Sequence, residues 1–310
     1  MSPHMFWAAL ELPWPFEREY MQLALAAGLV VGACAPLLGV FLVQKRMTLM
    51  GDGIGHLAFA GVAAGLLLEV WPIWTALVVA VAGALAIEWL RARGRATGDL
   101  ALALFFYGGI ALGVVLVSRT DGGSLNIAPY LFGSILTVSP DDARVIAVLG
   151  VVILLTLALF ARALFAVVVD EEAARVSGVP VGLTNSVLSV LTAVTVVAAM
   201  RVVGVLLIAA LIVLPVASGR MVARSFRATV IWSVGIGVAS VVLGLAAARQ
   251  WNLAPGGSIV LVAAATFAIV APVGRVRRTT RSPEIADFGV AHLQVGDLGD
   301  PAPPGDSKVH

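Results

Sequence analysis

Two side chains of the kind that bind transition metals lie four residues apart in an otherwise apolar segment. Asp52 and His56 belong to the run "KRMTLMGDGIGHLAFAGVAAG", residues 45–65. On a helix, residues i and i+4 share one face, with Cβ atoms about 5–6 Å apart. A carboxylate oxygen and a neutral imidazole nitrogen at that spacing can reach one cation. The cation would also offset the cost of a charged aspartate within a membrane, at least about 2.5 kcal/mol.

Two ligands make a weak site, which suits a transport pathway because the cation must be released. A second copy of the chain would supply two more. The alternative places Asp52 at a helix N-cap, where its carboxylate accepts backbone N–H groups, and packs His56 against a neighbouring helix. His56 is the only histidine inside a predicted membrane span, since His4, His292 and His310 lie in terminal segments. The pattern by itself leaves both interpretations open.

The composition indicates an all-α integral membrane protein. Of 310 residues, 60% are hydrophobic and 12% charged, against about 25% charged in soluble domains. Apolar runs of about 20 residues, long enough to span a bilayer, recur along the chain. Cys34 is the only cysteine, which excludes an intramolecular disulfide and a cysteine metal cluster. Neither lysine, Lys45 or Lys308, lies in a phosphate-binding loop motif, so any ATP must be bound by another subunit.

The apolar runs predict a polytopic bundle of eight or nine spans. Nine candidate segments can be read from the sequence, at 20–43, 54–70, 72–90, 99–118, 143–166, 184–199, 202–219, 229–248 and 257–274. The count is open because 184–199 and 202–219 meet at Arg201 and either short segment could fail to cross. Residues 128–138 are too short to span and predict a re-entrant or surface helix.

The basic residues predict which ends of the spans are cytoplasmic. Arginine or lysine clusters follow the first, third, seventh and last segments, and such clusters favour the cytoplasmic side. The C-terminus and the 167–183 loop are then cytoplasmic too. The predicted organisation is an interfacial segment at 1–19, a transmembrane domain at 20–275 and a cytoplasmic disordered tail at 276–310.

The loop "DEEAARVSGVPVGL", residues 170–183, predicts one short helix with a firm stop. Acids favour a helix N-terminus, and Gly and Pro end a helix. The helix either docks into an ATPase as a coupling helix or serves as an ordinary connector. The residues that define it are Asp170, Glu171, Glu172, Ala173, Ala174, Gly178 and Pro180.

The segment "RVVGVLLIAALIVLPVASGR", residues 201–220, is an apolar run interrupted by Gly204 and Pro215. These interruptions suit a gate or a dimer interface, because Gly and Pro alter helix geometry at membrane depth. The alternative is a tightly packed helix.

Five stretches taken together resemble the permeases of zinc and manganese ABC importers. They occur in the family's order over about residues 20–275, as "PLLGVFLVQKRMTLMGDGIGHLAFAGVAAGLLL", "YLFGSILTVSPDD", "DEEAARVSGVPV", "MRVVGVLLIAALIVLPVASGR" and "APGGSIVL". The resemblance implies a homodimeric permease, like those of type II ABC importers, with about eight helices per subunit in the cytoplasmic (inner) membrane of a prokaryote. It also implies a cytoplasmic ATPase pair that binds ATP and an extracytoplasmic metal-binding protein.

The same resemblance implies roles for the residues named above. Asp52 and His56 would contact the transported metal, and the 170–182 segment would couple to the ATPase. The chain would catalyse no reaction, hold no permanent cofactor, bind no nucleic acid and contact lipid.

The sequence also departs from the family pattern. Some zinc-type members carry a further histidine where this chain has Tyr107 and Gly108, and no histidine-rich loop is present. Fewer imidazoles weaken a zinc assignment, since zinc favours His and Cys while manganese accepts carboxylates. Zn²⁺, Mn²⁺ and Fe²⁺ all stay open.

The sequence also allows two other functions. An ABC permease for an organic cargo, such as a metal chelate or vitamin, would need neither Asp52 nor His56. A secondary carrier acting alone would need no ATPase and no 170–182 helix. A membrane-embedded enzyme is disfavoured because the spans contain no nucleophile–base pair.

Overall fold

The computed structural model describes residues 15–93, 98–119, 127–136 and 138–279. Within these ranges the chain is all helical, without strands. The helices, in chain order from α1 to α11, are Glu19–Gln44, Met50–Leu67, Pro72–Ala92, Gly98–Arg119, Ala128–Phe132, Pro140–Val169, Glu171–Val176, Val181–Ala199, Ile208–Val222, Phe226–Trp251 and Pro255–Thr279.

The chain divides into two units, Met1–Ala271 and Pro272–His310. The described residues of the second unit, 272–279, are helical. Most of the predicted tail at 276–310, and most of the predicted interfacial segment at 1–19, lie outside the described residues.

Eight of the described helices are long and apolar enough to cross a membrane. The prediction of an all-α bundle with about eight spans is therefore confirmed. The seventh predicted segment, 202–219, is wrong as a single helix, because residues 200–207 form turns and α9 begins only at Ile208. Gly204 lies within these turns with φ +89°, a left-handed conformation that a helix cannot contain.

Small residues bring α2 into close contact with its neighbours. A Cβ atom added at Gly61 would lie 2.6 Å from Ala76 Cα in α3, and one added at Gly109 of α4 would lie 2.9 Å from the His56 carbonyl carbon. Glycine at these positions lets the helix backbones approach without side chains between them. The contacts hold α2 between α3 and α4.

The other side of α2 faces the irregular segment and the start of α9. An added Cβ at Gly55 would lie 3.2 Å from the Val205 carbonyl oxygen, and one at Gly51 would lie 3.2 Å from Ile212 Cδ1. The helix is therefore enclosed on several sides, and it presents a limited part of its surface to open space.

The segment 128–138 contains the five-residue helix α5, too short to span a membrane, as predicted. It pairs with the turn at 200–207 through its backbone. The Val205 amide donates to the Tyr130 carbonyl at 2.9 Å, and the Ser134 amide donates to the Arg201 carbonyl at 3.2 Å. These bonds satisfy peptide groups that an unwound segment would otherwise leave exposed to an apolar environment.

A buried ion pair joins the N-terminus of α6 to the chain just beyond α8. Arg201 Nη2 lies 2.7 Å from Asp142 Oδ2, and the two side chains are 12% and 4% exposed. Asp142 also accepts the Ser139 amide and completes a capping box with the Ser139 hydroxyl. The Arg201 guanidinium lies 4.9 Å from the centre of the Tyr130 ring.

Arg201→Met is expected to destabilise the protein by about 3 kcal/mol, because it leaves the buried Asp142 carboxylate without its cation. Thermal unfolding in detergent, followed by size-exclusion chromatography, measures the loss. Asp141→Asn is the matched control, because that neighbouring carboxylate pairs with Arg144 while 63% exposed. Equal melting temperatures for the Arg201 and Asp141 variants would show that the buried pair adds no stability.

Candidate functional site

Asp52 and His56 lie on successive turns at the N-terminal end of α2. The helix begins at Met50, and its N-cap is Leu49, which has helical backbone angles and forms no side-chain cap. The interpretation of Asp52 as an N-cap is therefore wrong, since Asp52 is already inside the first turn. A carboxylate in the first turn interacts favourably with the helix dipole.

The His56 ring is oriented by an aromatic neighbour on α4. The ring centres of His56 and Phe106 lie 4.3 Å apart, with the planes at 76°, an edge-to-face arrangement that aromatic rings favour. Beneath the ring, Gly109 packs against the His56 backbone. Asp52 and His56 are both partly exposed, unlike the buried residues on either side of each. The two side chains therefore share an accessible face of a helix that is otherwise buried over residues 50–63.

Within the described ranges, no three or more His, Cys, Asp or Glu side chains come together to hold a metal ion. One chain thus offers Asp52 and His56 as two ligands. Tyr107 and Gly108, which stand where some zinc-type permeases carry a histidine, face outward. Tyr107 is 69% exposed, and a Cβ at Gly108 would meet nothing within 4 Å.

The loop after α6 forms the single short helix that its sequence predicts. Asp170 is the N-cap of α7, and its Oδ1 accepts the amides of Glu172 at 3.0 Å and Ala173 at 2.9 Å. Ala174 is buried against Val167 and Val181. Gly178, with φ +83°, ends the helix two residues before Pro180. The Asp170 cap and the Ala174 contact hold α7 against α6 and α8.

The outer face of α7 is open. Glu172 and Arg175 are exposed, and Val176 is 86% exposed. A short, well-capped helix with a mixed charged and apolar outer face is able to contact another protein. Its role as a coupling helix stays a prediction.

Gly204 and Pro215 lie in different settings. Gly204 is part of the turn that pairs with α5, whereas Pro215 is buried inside α9. The interruption at Gly204 is therefore a break between helices, while the helix continues through Pro215. The proposal that these positions form a gate stays a prediction.

The structure contains a polar cluster, formed by Lys45, Glu88, Glu171 and Asn185, that the sequence did not predict. Lys45 Nζ lies 3.1 Å from Glu171 Oε2 and also donates to Asn185 Oδ1. Glu88 of α3 is buried nearby, with its Oε2 3.8 Å from Arg91 Nη1. Burial lowers the pKa of Lys45, and the hydrogen bond that Lys45 donates to Glu171 partly opposes that shift.

One signal for this cluster was available in the sequence. Glu88 falls inside the predicted span 72–90, and an acidic residue within an apolar run usually has a partner or a function. The contact of Lys45 with Glu171 was not available from the sequence, because the two residues are separated by 126 positions.

Comparison with known proteins places this architecture among transporters. Residues 17–273 match the model of the family described as the ABC 3 transport family. The chain is 31% identical over 246 residues to the high-affinity zinc uptake system membrane protein ZnuB of Haemophilus influenzae, covering 79% of this chain and 94% of that protein. It is 32% identical over 251 residues to the manganese transport system membrane protein MntC of Halalkalibacterium halodurans, covering 81% and 86%.

Two solved structures share the fold. PsaBC from Streptococcus pneumoniae, solved in complex with Fab, superposes with a TM-score of 0.74 at 32% identity, covering 82% of this chain and 91% of that chain. An inward-facing putative metal-chelate type ABC transporter superposes with a TM-score of 0.58 at 18% identity, covering 82% and 87%. At that lower identity, the second likeness concerns the fold alone.

Proposed function

Since this chain belongs to the ABC 3 transport family and is a permease subunit of a metal ABC importer rather than an enzyme, we propose that its own cargo is Zn²⁺ or Mn²⁺. The relatives named for zinc and for manganese are similar to this chain at nearly equal identity, 31% and 32%. Relatedness therefore supports a divalent transition metal as the cargo and leaves both ions as candidates.

The observation that carries the proposal is the placement of Asp52 and His56. They are partly exposed on one face of α2, whose other residues between 50 and 63 are buried. A charged or polar side chain in such a position is costly unless it meets a partner or a polar pathway. A divalent cation supplies that partner, and a carboxylate with an imidazole suits Mn²⁺, Zn²⁺ and Fe²⁺.

The site becomes complete in a homodimer. Two copies related by a twofold axis contribute the same two residues each, which gives two carboxylates and two imidazoles around one cation. A site shared between protomers can form in one state of the transport cycle and come apart in another. Such a change gives alternating access when the two protomers rock against each other.

The energy for this change comes from a separate subunit. ATP binds and is hydrolysed on a cytoplasmic ATPase pair, and α7 is the element of this chain that contacts it. An extracytoplasmic binding protein delivers the metal to the opposite face of the membrane. In this arrangement α7 and the C-terminus lie on the cytoplasmic side. The exposed outer face of α7 and the basic clusters in the loops support this orientation.

Cellular metal content tests the proposal and identifies the ion. A strain lacking this chain is grown in metal-poor medium, and its zinc, manganese and iron are measured by elemental mass spectrometry. We expect zinc or manganese to fall on deletion and to return when the chain is restored together with its ATPase. Restoration with an ATPase that cannot hydrolyse ATP should fail.

Two results would contradict the proposal. Recovery of metal without a functional ATPase would identify a secondary carrier. Unchanged zinc, manganese and iron after deletion would favour an organic cargo such as a chelate or vitamin.

A further inference from the structure

We propose that Lys45 is a positioning residue that links α7 to the metal-binding end of α2. The inference rests on the proposed roles of α7 and of the Asp52–His56 pair, and goes beyond them by naming the contact that joins the two. The link runs from Glu171 to Lys45, and from Lys45 through the turn at 45–49 into α2.

The first step is the ion pair between α7 and the end of α1. Glu171 is the first residue of α7, and Lys45 is the C-cap of α1. Their charged atoms lie 3.1 Å apart, and the Lys45 side chain is only 6% exposed. The Glu171 side chain is 40% exposed. The Lys45 ammonium is the restrained partner, since its burial leaves it little water to replace the Glu171 carboxylate.

The second step is the stiffness of the turn between α1 and α2. The turn doubles back sharply, with Arg46 at φ +59° and the Met47 amide donating to the Leu42 carbonyl at 2.9 Å. The Met50 amide then donates to the Met47 carbonyl at 3.1 Å. Because these backbone hydrogen bonds restrain the turn at residues 45–49, a displacement of Lys45 moves the first turn of α2.

The third step is the set of side-chain contacts that hold the turn. Arg91 of α3 donates to Met47 Sδ, and the Ser189 hydroxyl of α8 contacts Met50 Sδ at 3.9 Å. Asn185 of α8 accepts from Lys45. The start of α2 is thus held to α3 and α8 by the same cluster that receives Glu171, and Asp52 follows only two residues after Met50.

Glu88 adds a second restraint on the turn between α1 and α2. It is 4% exposed, and its Oε2 lacks a hydrogen-bond partner among the described residues. That oxygen lies 3.8 Å from Arg91 Nη1, the same atom that donates to Met47 Sδ. Because a buried carboxylate is costly without a cation, Glu88 holds Arg91 in place against the turn.

Glu171→Gln tests the link, because it removes one charge and keeps the size of the side chain. In the complete importer in proteoliposomes, we expect metal transported per ATP hydrolysed to fall about tenfold, within the usual range of coupling free energies. Expressing transport per ATP hydrolysed separates lost coupling from any loss of ATPase binding, which co-purification of the ATPase measures. Lys45→Arg, which keeps the charge, should retain most of the coupling.

Asp141→Asn is the matched control for transport, because it removes one carboxylate that lies outside α7 and pairs with Arg144 while 63% exposed. It should leave the metal transported per ATP hydrolysed at the wild-type value. Equal uncoupling by Glu171→Gln and Asp141→Asn would overturn the proposal. Arg175→Gln, at the 70% exposed partner of the same Glu171 carboxylate, is the control for hydrogen exchange in the purified chain, where no ATPase is present.

Hydrogen exchange provides a readout that does not depend on the cargo. In the purified chain, Glu171→Gln should speed amide exchange in the first turn of α2, residues 50–54, by about tenfold, a rise that corresponds to about 1.4 kcal/mol of local opening free energy. Arg175→Gln should leave it unchanged. Wild-type exchange rates in Glu171→Gln would overturn the link even if transport fell. Failure of the wild-type importer to move metal would instead contradict the proposed function, and exchange alone would then decide this inference.

Discussion

Asp52→Asn and His56→Ala are each expected to reduce metal uptake by the assembled importer by more than about 100-fold. In the proposed homodimer, one substitution removes two of the four ligands, because the twofold axis repeats it. Loss of an outer-shell partner of a metal ligand already costs about 10–100-fold, and direct ligands matter more. The measurement is uptake of Zn²⁺ and Mn²⁺ into proteoliposomes containing the complete importer, with ATP inside.

Matched substitutions separate ligand loss from damage to the fold. Asp141→Asn removes an exposed carboxylate, and Phe106→Leu removes the ring that orients His56. We expect the first to leave uptake unchanged and the second to reduce it only partly. Full uptake by Asp52→Asn or by His56→Ala at wild-type expression would show that the pair does not bind the cargo. The organic-cargo hypothesis would then be preferred.

Gly204→Ala is expected to abolish accumulation of folded protein, at a cost of more than about 4 kcal/mol. Gly204 has φ +89°, which L-residues with a side chain rarely adopt. Its added Cβ would also lie 2.5 Å from the Phe132 carbonyl carbon and 2.6 Å from the Gly133 amide nitrogen. Both obstacles are backbone atoms, which cannot rotate away. Expression level and thermal stability in detergent measure the effect.

Alanine substitutions at two other glycines distinguish the cost of backbone strain from the cost of steric overlap. Gly178 has φ +83°, but a Cβ there would meet nothing within 4 Å, so Gly178→Ala should cost only about 1–2 kcal/mol. Gly257→Ala has open space and no left-handed backbone, and it should be nearly neutral. If Gly204→Ala were no worse than Gly178→Ala, the close packing of residues 200–207 against α5 would not be essential to the fold.

Much of the fold was accessible from the sequence because membrane insertion is a local property. The apolar runs gave the helical class and all eight long helices within a few residues at most ends, since about 20 apolar residues are enough to specify a span. The short helix α7 was also predictable. Its acidic start, its alanines and the stop at Gly178 are all within one segment.

The start of α2 shows where local signals are insufficient. The sequence predicts a span at 54–70, whereas the helix begins at Met50. The "GDG" at residues 51–53 suggests a helix end by propensity. In the structure Gly51 lies inside the helix because α9 packs against it. That tertiary contact overrides the propensity and places Asp52 in the first turn.

The sequence by itself determined the membrane class, the absence of an ATP-binding loop and the four-residue spacing of Asp52 and His56. Each depends on composition or on neighbours along one helix. Only the tertiary structure decided the break at 200–207, the Arg201–Asp142 pair and the contact of Lys45 with Glu171. Those features join positions far apart in the chain, up to 126 residues for Lys45 and Glu171. Charged partners in a bilayer are selected by which helix ends meet after packing, and no periodicity within one segment encodes that choice.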